Sequence, residues 1–151
     1  MPLWEIFHTA NAFSTPQSKA LLAKDITAWY TSAGLPAFYV NVLFRPMAGE
    51  DMWIGGKPAA AFPGDPAALE RPFVRLSIQH LAYRNSDEKA MTAMCDRIDK
   101  WLSPHLEKYD WEYNISEPAR DLWRINGIIP PPFGSALEKK WAEEEKPSKY
   151  Y

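Results

Sequence analysis

Cysteine is almost absent: Cys95 is the only one in 151 residues. That excludes an internal disulfide and a cysteine-built metal cluster. Its place in a helical pattern reads as a small buried hydrophobe rather than a nucleophile. Histidine is scarce too. His8, His80 and His105 stand far apart, without metal-ligand spacing, so no metal is expected. The 7 glycines form no Gly-x-Gly-x-x-Gly, no phosphate loop and no Gly-x-Ser-x-Gly, which removes the usual nucleotide and serine-hydrolase readings. No cofactor is expected. Positive charge has no excess: 17 Lys and Arg face 19 Asp and Glu, a net charge of -2, which argues against a nucleic-acid partner. No apolar run reaches the length of a membrane span. The start, Met1-Pro2-Leu3-Trp4-Glu5, lacks the basic and apolar regions of a secretory signal. The expectation is a cytoplasmic protein without membrane contact.

What remains is a globular composition, 46% hydrophobic and 24% charged, at a length that fits one domain with a real core. The chain is rich in two residues, with 14 prolines and 7 tryptophans. The prolines imply ordered loops. The tryptophans imply apolar surface that needs burial, within the fold or between subunits.

Along the chain the hydrophobic period switches repeatedly. Leu3, Trp4, Ile6 and Phe7 make a first strand from Pro2 to Thr9. Thr15-Pro16 is a helix start, with Thr15 as N-cap and proline at the first helical position. Leu21, Leu22, Ile26, Trp29 and Tyr30 recur at helical spacing, and Gly34 and Pro36 close the helix. Ala37 to Arg45 is aromatic and β-branched, as a second strand should be. These segments form a βαβ unit over about residues 2–45, with parallel strands. A linker rich in glycine and proline runs over about 46–72, and Trp53-Ile54 before Gly55-Gly56 fits a short hairpin. The pattern then repeats over about 73–116. Phe73 to Leu81 alternates, Ser86-Asp87-Glu88 starts a helix, and Met91 to Leu102 mark its buried face. Ser103-Pro104 should interrupt that helix. Trp111, Tyr113 and Ile115 alternate as a fourth strand. An extension over about 117–151 follows. It holds a short helix near Pro118 to Trp123, a turn at Asn126-Gly127 and an extended Pro130-Pro131-Pro132. A charged helix over Leu137 to Glu145 and a loose tail end it. The fold class is α+β, with a four-stranded mixed sheet and two main helices.

Pro2 carries the functional signal. Removal of Met1, normal before so small a residue, would leave a secondary amine at the chain start. Such an amine can serve as general base, general acid or nucleophile. An α-amino group titrates near ~8. Burial at the head of a strand would lower that value toward the range where proton transfer is efficient.

Several short segments resemble the tautomerase superfamily, and within it the group around cis-3-chloroacrylic acid dehalogenase, whose βαβ halves are fused. They are Pro2, Thr15-Pro16 with Lys24 and Ile26-Thr27, Val40-Asn41, Ile54-Gly55-Gly56, His80 with Arg84, Trp111-x-Tyr113, Pro118-Ala119 and Pro130. They span about residues 2–132, and the tail beyond 133 has no counterpart. The resemblance implies a homotrimer and a tautomerase or isomerase of the oxalocrotonate type, with a small carboxylate as substrate. It implies Pro2 as the catalytic amine, Arg84 as a carboxylate-binding arginine and Tyr113 as the active-site tyrosine. Tyr30, His80 and Arg124 are expected to bind substrate, with Arg75 a further candidate cation.

This chain departs from the pattern at three places. Leu81 stands where the group has a first arginine, Tyr30 where the dehalogenase has a histidine, and Arg124 near its water-activating carboxylate. Leucine cannot hold a carboxylate, and arginine cannot serve as a general base. Hydrolytic dehalogenation loses its support, whereas proton transfer within an enol needs no activated water. Three readings follow. The first is a tautomerase acting on a small enol or 2-oxo acid. The second is a hydratase or dehalogenase acting on an unsaturated acid. The third is a catalytically decayed trimer that binds a partner.

Overall fold

The computed structural model describes residues 1–64, 67–81 and 87–150. Arg84 and Ser86 lie outside the described residues. β1 (Pro2–Thr9) is followed by α1 (Pro16–Ser32), β2 (Asn41–Met47), β3 (Trp53–Ile54) and β4 (Lys57–Pro58). β5 (Phe73–His80), α2 (Glu88–Leu106), β6 (Asp110–Ser116) and α3 (Ala136–Glu144) complete the chain. The fold is α+β. The main sheet has four strands in the order β2-β1-β5-β6. β1 pairs parallel with β2, β5 parallel with β6, and β1 antiparallel with β5. Two parallel βαβ pairs are therefore joined through their central strands.

The alternation read from β1 is obeyed: Trp4 and Ile6 are fully buried, while Leu3, Glu5 and Phe7 are half-buried on the other face. β5 matches it with Val74, Leu76 and Ile78. α1 covers this apolar face. The Thr15 hydroxyl accepts from the amide of Ser18 at 3.2 Å, and Pro16 loses no bond in the first turn. Leu22, Ile26 and Tyr30, four residues apart, point inward. Gly34 takes φ 86° just past the helix end, a conformation suited to glycine. The hairpin of β3 and β4 turns on Gly55 and Gly56, at φ 59° and 79°.

Three expectations need correction. β2 begins at Asn41 rather than Ala37, because Ala37–Tyr39 forms a 3₁₀ turn. The amide of Tyr39 bonds Pro36 O at 3.0 Å, as Val40 does Ala37 O. The turn drops Tyr39 wholly into the core. α2 is not interrupted at Pro104 but runs through it to Leu106. Proline removes the bond to the carbonyl four residues back. Ile98, Leu102 and Leu106, spaced at four, all bury themselves, and this packing outweighs the lost bond.

The third correction concerns the C-terminus. α3 carries exposed charge as expected, at Lys139, Lys140, Glu143 and Glu144, but its other face is built into the core. Its Trp141 is fully buried and Glu138 is 1% exposed. The tail is not loose as far as Tyr150, since Ser148 accepts from the Trp141 indole at 3.0 Å and Tyr150 packs against that ring. The sheet's opposite face carries ion pairs, Arg45 to Glu5 at 3.0 Å and Arg75 to Glu112 at 3.3 Å.

Candidate active site at the amino terminus

The pairing of β1 with β5 sets Pro2 opposite His80, and the amide of Leu81 bonds Met1 O at 3.2 Å. The chain start is thus held by backbone bonds at one end of the two central strands. Pro2, Trp4 and His80 are buried. α1 reaches this end with Tyr30, whose hydroxyl lies 2.5 Å from His80 Nε2. The Trp4 indole donates to the same oxygen at 3.0 Å. Indole nitrogen can only donate, so the tyrosine oxygen accepts from Trp4 and its own O–H is assigned to His80 Nε2. Burial holds His80 down to about 4, partly opposed by Glu117 and reinforced by the chain amine. Burial also raises Tyr30 above its ordinary range. The two groups meet as a neutral imidazole and a protonated phenol. The Trp29 ring packs on Tyr30 at 4.9 Å and on His80 at 6.2 Å, and walls this corner.

The C-terminal extension supplies the other wall. Parallel pairing of β1 with β2 begins at Leu3 and Asn41, so the turn that precedes β2 lies at the same end as the chain start, and Arg120 and Glu138 act on both the Met1 amine and Tyr39. Tyr39 is fully buried, with Trp123 edge-on at 4.7 Å. The Arg120 guanidinium sits 5.2 Å over the Trp123 ring. It reaches Glu138 Oε1 at 3.3 Å and also donates to Pro131 O. Glu138 Oε2 accepts the amide of Gly134 at 2.7 Å. The Met1 amine is brought down to about 4 by burial first and Arg120 second, with Glu138 acting the other way. The Tyr39 hydroxyl feels both charges, and its ionisation is pushed up, chiefly by burial. Yet it closes no hydrogen bond within hydrogen-bonding geometry among the described residues.

Of the residues expected from the sequence, Pro2, Tyr30 and His80 come together here. Arg124 does not join them: it is exposed, and its guanidinium is bonded to the carbonyls of Asp121 and Trp123 at 2.7 and 2.8 Å. Tyr113 pairs with Leu76, which pairs with Ile6, four strand positions from Pro2. At about 3.3 Å per residue, it lies well beyond contact within one chain. Its hydroxyl donates to Asp99 at 2.7 Å. Arg75 is spent on Glu112. Arg84 lies outside the described residues. Sequence reading missed Arg120, Glu138 and Tyr39. One signal was legible: Ser135-x-x-Glu138 is a capping-box spacing, and the Ser135 hydroxyl does accept from the amide of Glu138 at 3.1 Å.

No group of three or more possible metal ligands occurs among the described residues. The corner combines a buried chain start, a neutral histidine–tyrosine pair and a guanidinium.

Residues 1–146 match the family model described as "Putative oxalocrotonate tautomerase enzyme". The chain belongs to this tautomerase family. Two relatives of known structure share its length and fold. A probable enzyme from the thermophilic fungus Aspergillus fumigatus is 40% identical, with 99% of this chain and 98% of that one covered and a TM-score of 0.83. Native RhCC from Rhodococcus jostii RHA1 is 38% identical, with 98% and 99% covered and a TM-score of 0.83. A member of the cis-3-chloroacrylic acid dehalogenase family, N1, is 14% identical over 94% and 96% of the two chains, TM-score 0.66. A fused 4-OT solved as a symmetric trimer is 16% identical over 84% and 94%, TM-score 0.59. These two share the tautomerase fold. No curated protein matches the chain.

Proposed function

We propose that this tautomerase-family chain, once Met1 is removed, uses the Pro2 amine as base and acid on a small enol or 2-oxo carboxylic acid. The observation that carries the reading is the buried chain start, held between the His80–Tyr30 pair and Arg120. With Met1 attached, the Pro2 nitrogen is an amide whose lone pair is delocalised, and it cannot act as a base. With Met1 gone it is a secondary amine in a desolvated corner beside a cation. Both influences favour its neutral form at neutral pH. Pro2 takes the proton of the enol oxygen and returns it to the adjacent carbon. The C=C bond becomes C–H as C–O becomes C=O, so proton and electron pair both balance. A guanidinium holds the carboxylate; Arg120 and the sequence-matched Arg84 are the candidates. The aromatic walls of Trp29, Trp4 and Trp123 keep water out and the amine neutral.

The deciding experiment is the ketonisation of phenylenolpyruvate by Met1-free protein beside its Pro2→Ala variant. A rate well above buffer that collapses in the variant supports the reading. Background rates for both proteins would sink it. Assembly as a homotrimer, like that of the fused 4-OT, belongs to the same proposal. Leu3, Phe7 and Leu43 on the sheet's outer face are only partly buried within one chain, which leaves apolar surface for a second copy to cover. Sedimentation would check it.

Hydration of an unsaturated acid is a second reading. Glu117 and Glu138 bring carboxylates into the electrostatic field of His80 and the chain start, where alignment had offered only Arg124. Halide release from 3-haloacrylates would favour this reading over tautomerisation.

A further inference from the structure

The extension beyond residue 133 has no role in the proton transfer just described, yet it is built into the same corner. Glu138 is a charged side chain almost wholly removed from water. Buried carboxylates are costly unless paired and hydrogen-bonded. Both of its oxygens are engaged, Oε1 by Arg120 and Oε2 by the Gly134 amide. The carboxylate is thereby fixed from behind and cannot swing. On the arginine, one terminal nitrogen, Nη2, serves both Glu138 and Pro131 O, and the Trp123 ring lies beneath the guanidinium. A planar fork with its plane and one corner fixed is oriented before any ligand arrives. Beside it the Tyr39 hydroxyl is fully buried and has no hydrogen-bond partner among the described residues. Arg120 and Glu138 are close enough to act on it, but neither meets it in hydrogen-bonding geometry, so a ligand oxygen would complete its bonding. Arg120 and Glu138 act electrostatically on both this tyrosine and the chain amine, which puts them in one corner.

We propose that α3 is part of the active site: Glu138 is a positioning residue that holds Arg120 to receive the carboxylate of a small 2-oxo or enol acid, with the Tyr39 hydroxyl completing the anion's hydrogen bonds. The inference rests on the Pro2 reading for its substrate class. It assigns carboxylate recognition to two residues that sequence matching did not single out. It also gives the C-terminal helix a function besides packing.

The test uses full-length, Met1-free protein and phenylpyruvate as the probe, titrated by calorimetry, with phenylenolpyruvate kinetics in parallel. Glu138→Gln should weaken phenylpyruvate binding about tenfold and raise KM by a similar factor, with kcat changed less than about threefold. Glu138→Asp should recover part of the affinity. Tyr39→Phe should weaken binding severalfold without unfolding the protein. Ser148→Ala loosens the far end of α3 by removing the Trp141 hydrogen bond without touching Glu138, and it should bind as the parent does. Unchanged binding in Glu138→Gln would overturn the proposal. So would an equal loss in Ser148→Ala, since α3 would then act only by its stability. Binding intact in the parent with no turnover would count against the Pro2 reading alone.

Discussion

The Tyr30 hydroxyl lies 2.5 Å from His80 Nε2, although the two residues are 50 positions apart. That bond joins α1 to the end of β5 directly beside Pro2, and the Trp4 indole completes it from β1. One phenol therefore ties three elements together where the chain begins.

Tyr30→Phe leaves two buried polar groups, the Trp4 indole and His80 Nε2, without their shared partner. Each unsatisfied group costs about 1–3 kcal/mol. We expect a loss of about 2–4 kcal/mol in urea unfolding, with the slope of the transition unchanged. A loss under about 0.5 kcal/mol would mean that the three-way bond contributes nothing to stability.

Acid should destabilise the protein before its carboxylates protonate. His80 falls from an ordinary 6.5 to about 4, chiefly through burial, and burial moves His8 in the same direction. With folded values below unfolded ones, the unfolded chain takes up protons first. For His80 the stability is complete above about 6.5 and declines as pH falls toward 4, by up to about 1.4 kcal/mol per pH unit, and His8 acts in the same direction. A chain that keeps Met1 adds its amine, lowered from 8.0 to about 4, and begins to lose stability nearer pH 8. Urea titrations of both forms between pH 4 and 8 would check this. A flat profile in that window would refute it.

Trp141 is buried completely at the heart of α3, against Phe38 and Tyr39. Trp141→Ala removes that packing and the Ser148 bond, and should cost about 3–5 kcal/mol. Thermal unfolding reads it directly. A mere surface helix would tolerate the change with a shift within about 0.5 kcal/mol.

Arg124 and Arg120 are four residues apart but should behave differently. Arg124 caps its own loop from the surface. Arg124→Ala should alter phenylenolpyruvate KM less than about twofold and stability by about 0.5 kcal/mol or less. Arg120→Met should remove carboxylate binding and leave Glu138 as an unpaired buried carboxylate. That loss is expected to cost about 3–5 kcal/mol as well. Similar KM changes in the two variants would reverse the assignment.

Much of this protein is written in short-range pattern. The period-two alternation of β1 and β5 and the Thr15-Pro16 cap are local, because strand pleat and helix termini are properties of neighbouring residues. So is the glycine pair that turns the hairpin. The repeat of two βαβ units follows from them, whereas the antiparallel pairing of β1 with β5 that puts His80 opposite Pro2 appears only in the structure. Resemblance of scattered residues was enough to reach the tautomerase superfamily. Tertiary structure decided what local pattern could not. Ile98, Leu102 and Leu106 kept α2 helical through Pro104, since buried packing exceeded the local preference. Tyr39 turned inward by a 3₁₀ turn where the aromatic and β-branched content of its segment had placed it in a strand. Above all, Arg120 and Glu138 look from sequence like two more charges in a polar tail. Only the tertiary fold buries the Glu138 carboxylate and brings the half-buried Arg120 onto it and over the Trp123 ring. Charge close to the chain start is a matter of distance through space, and sequence spacing carries no record of it.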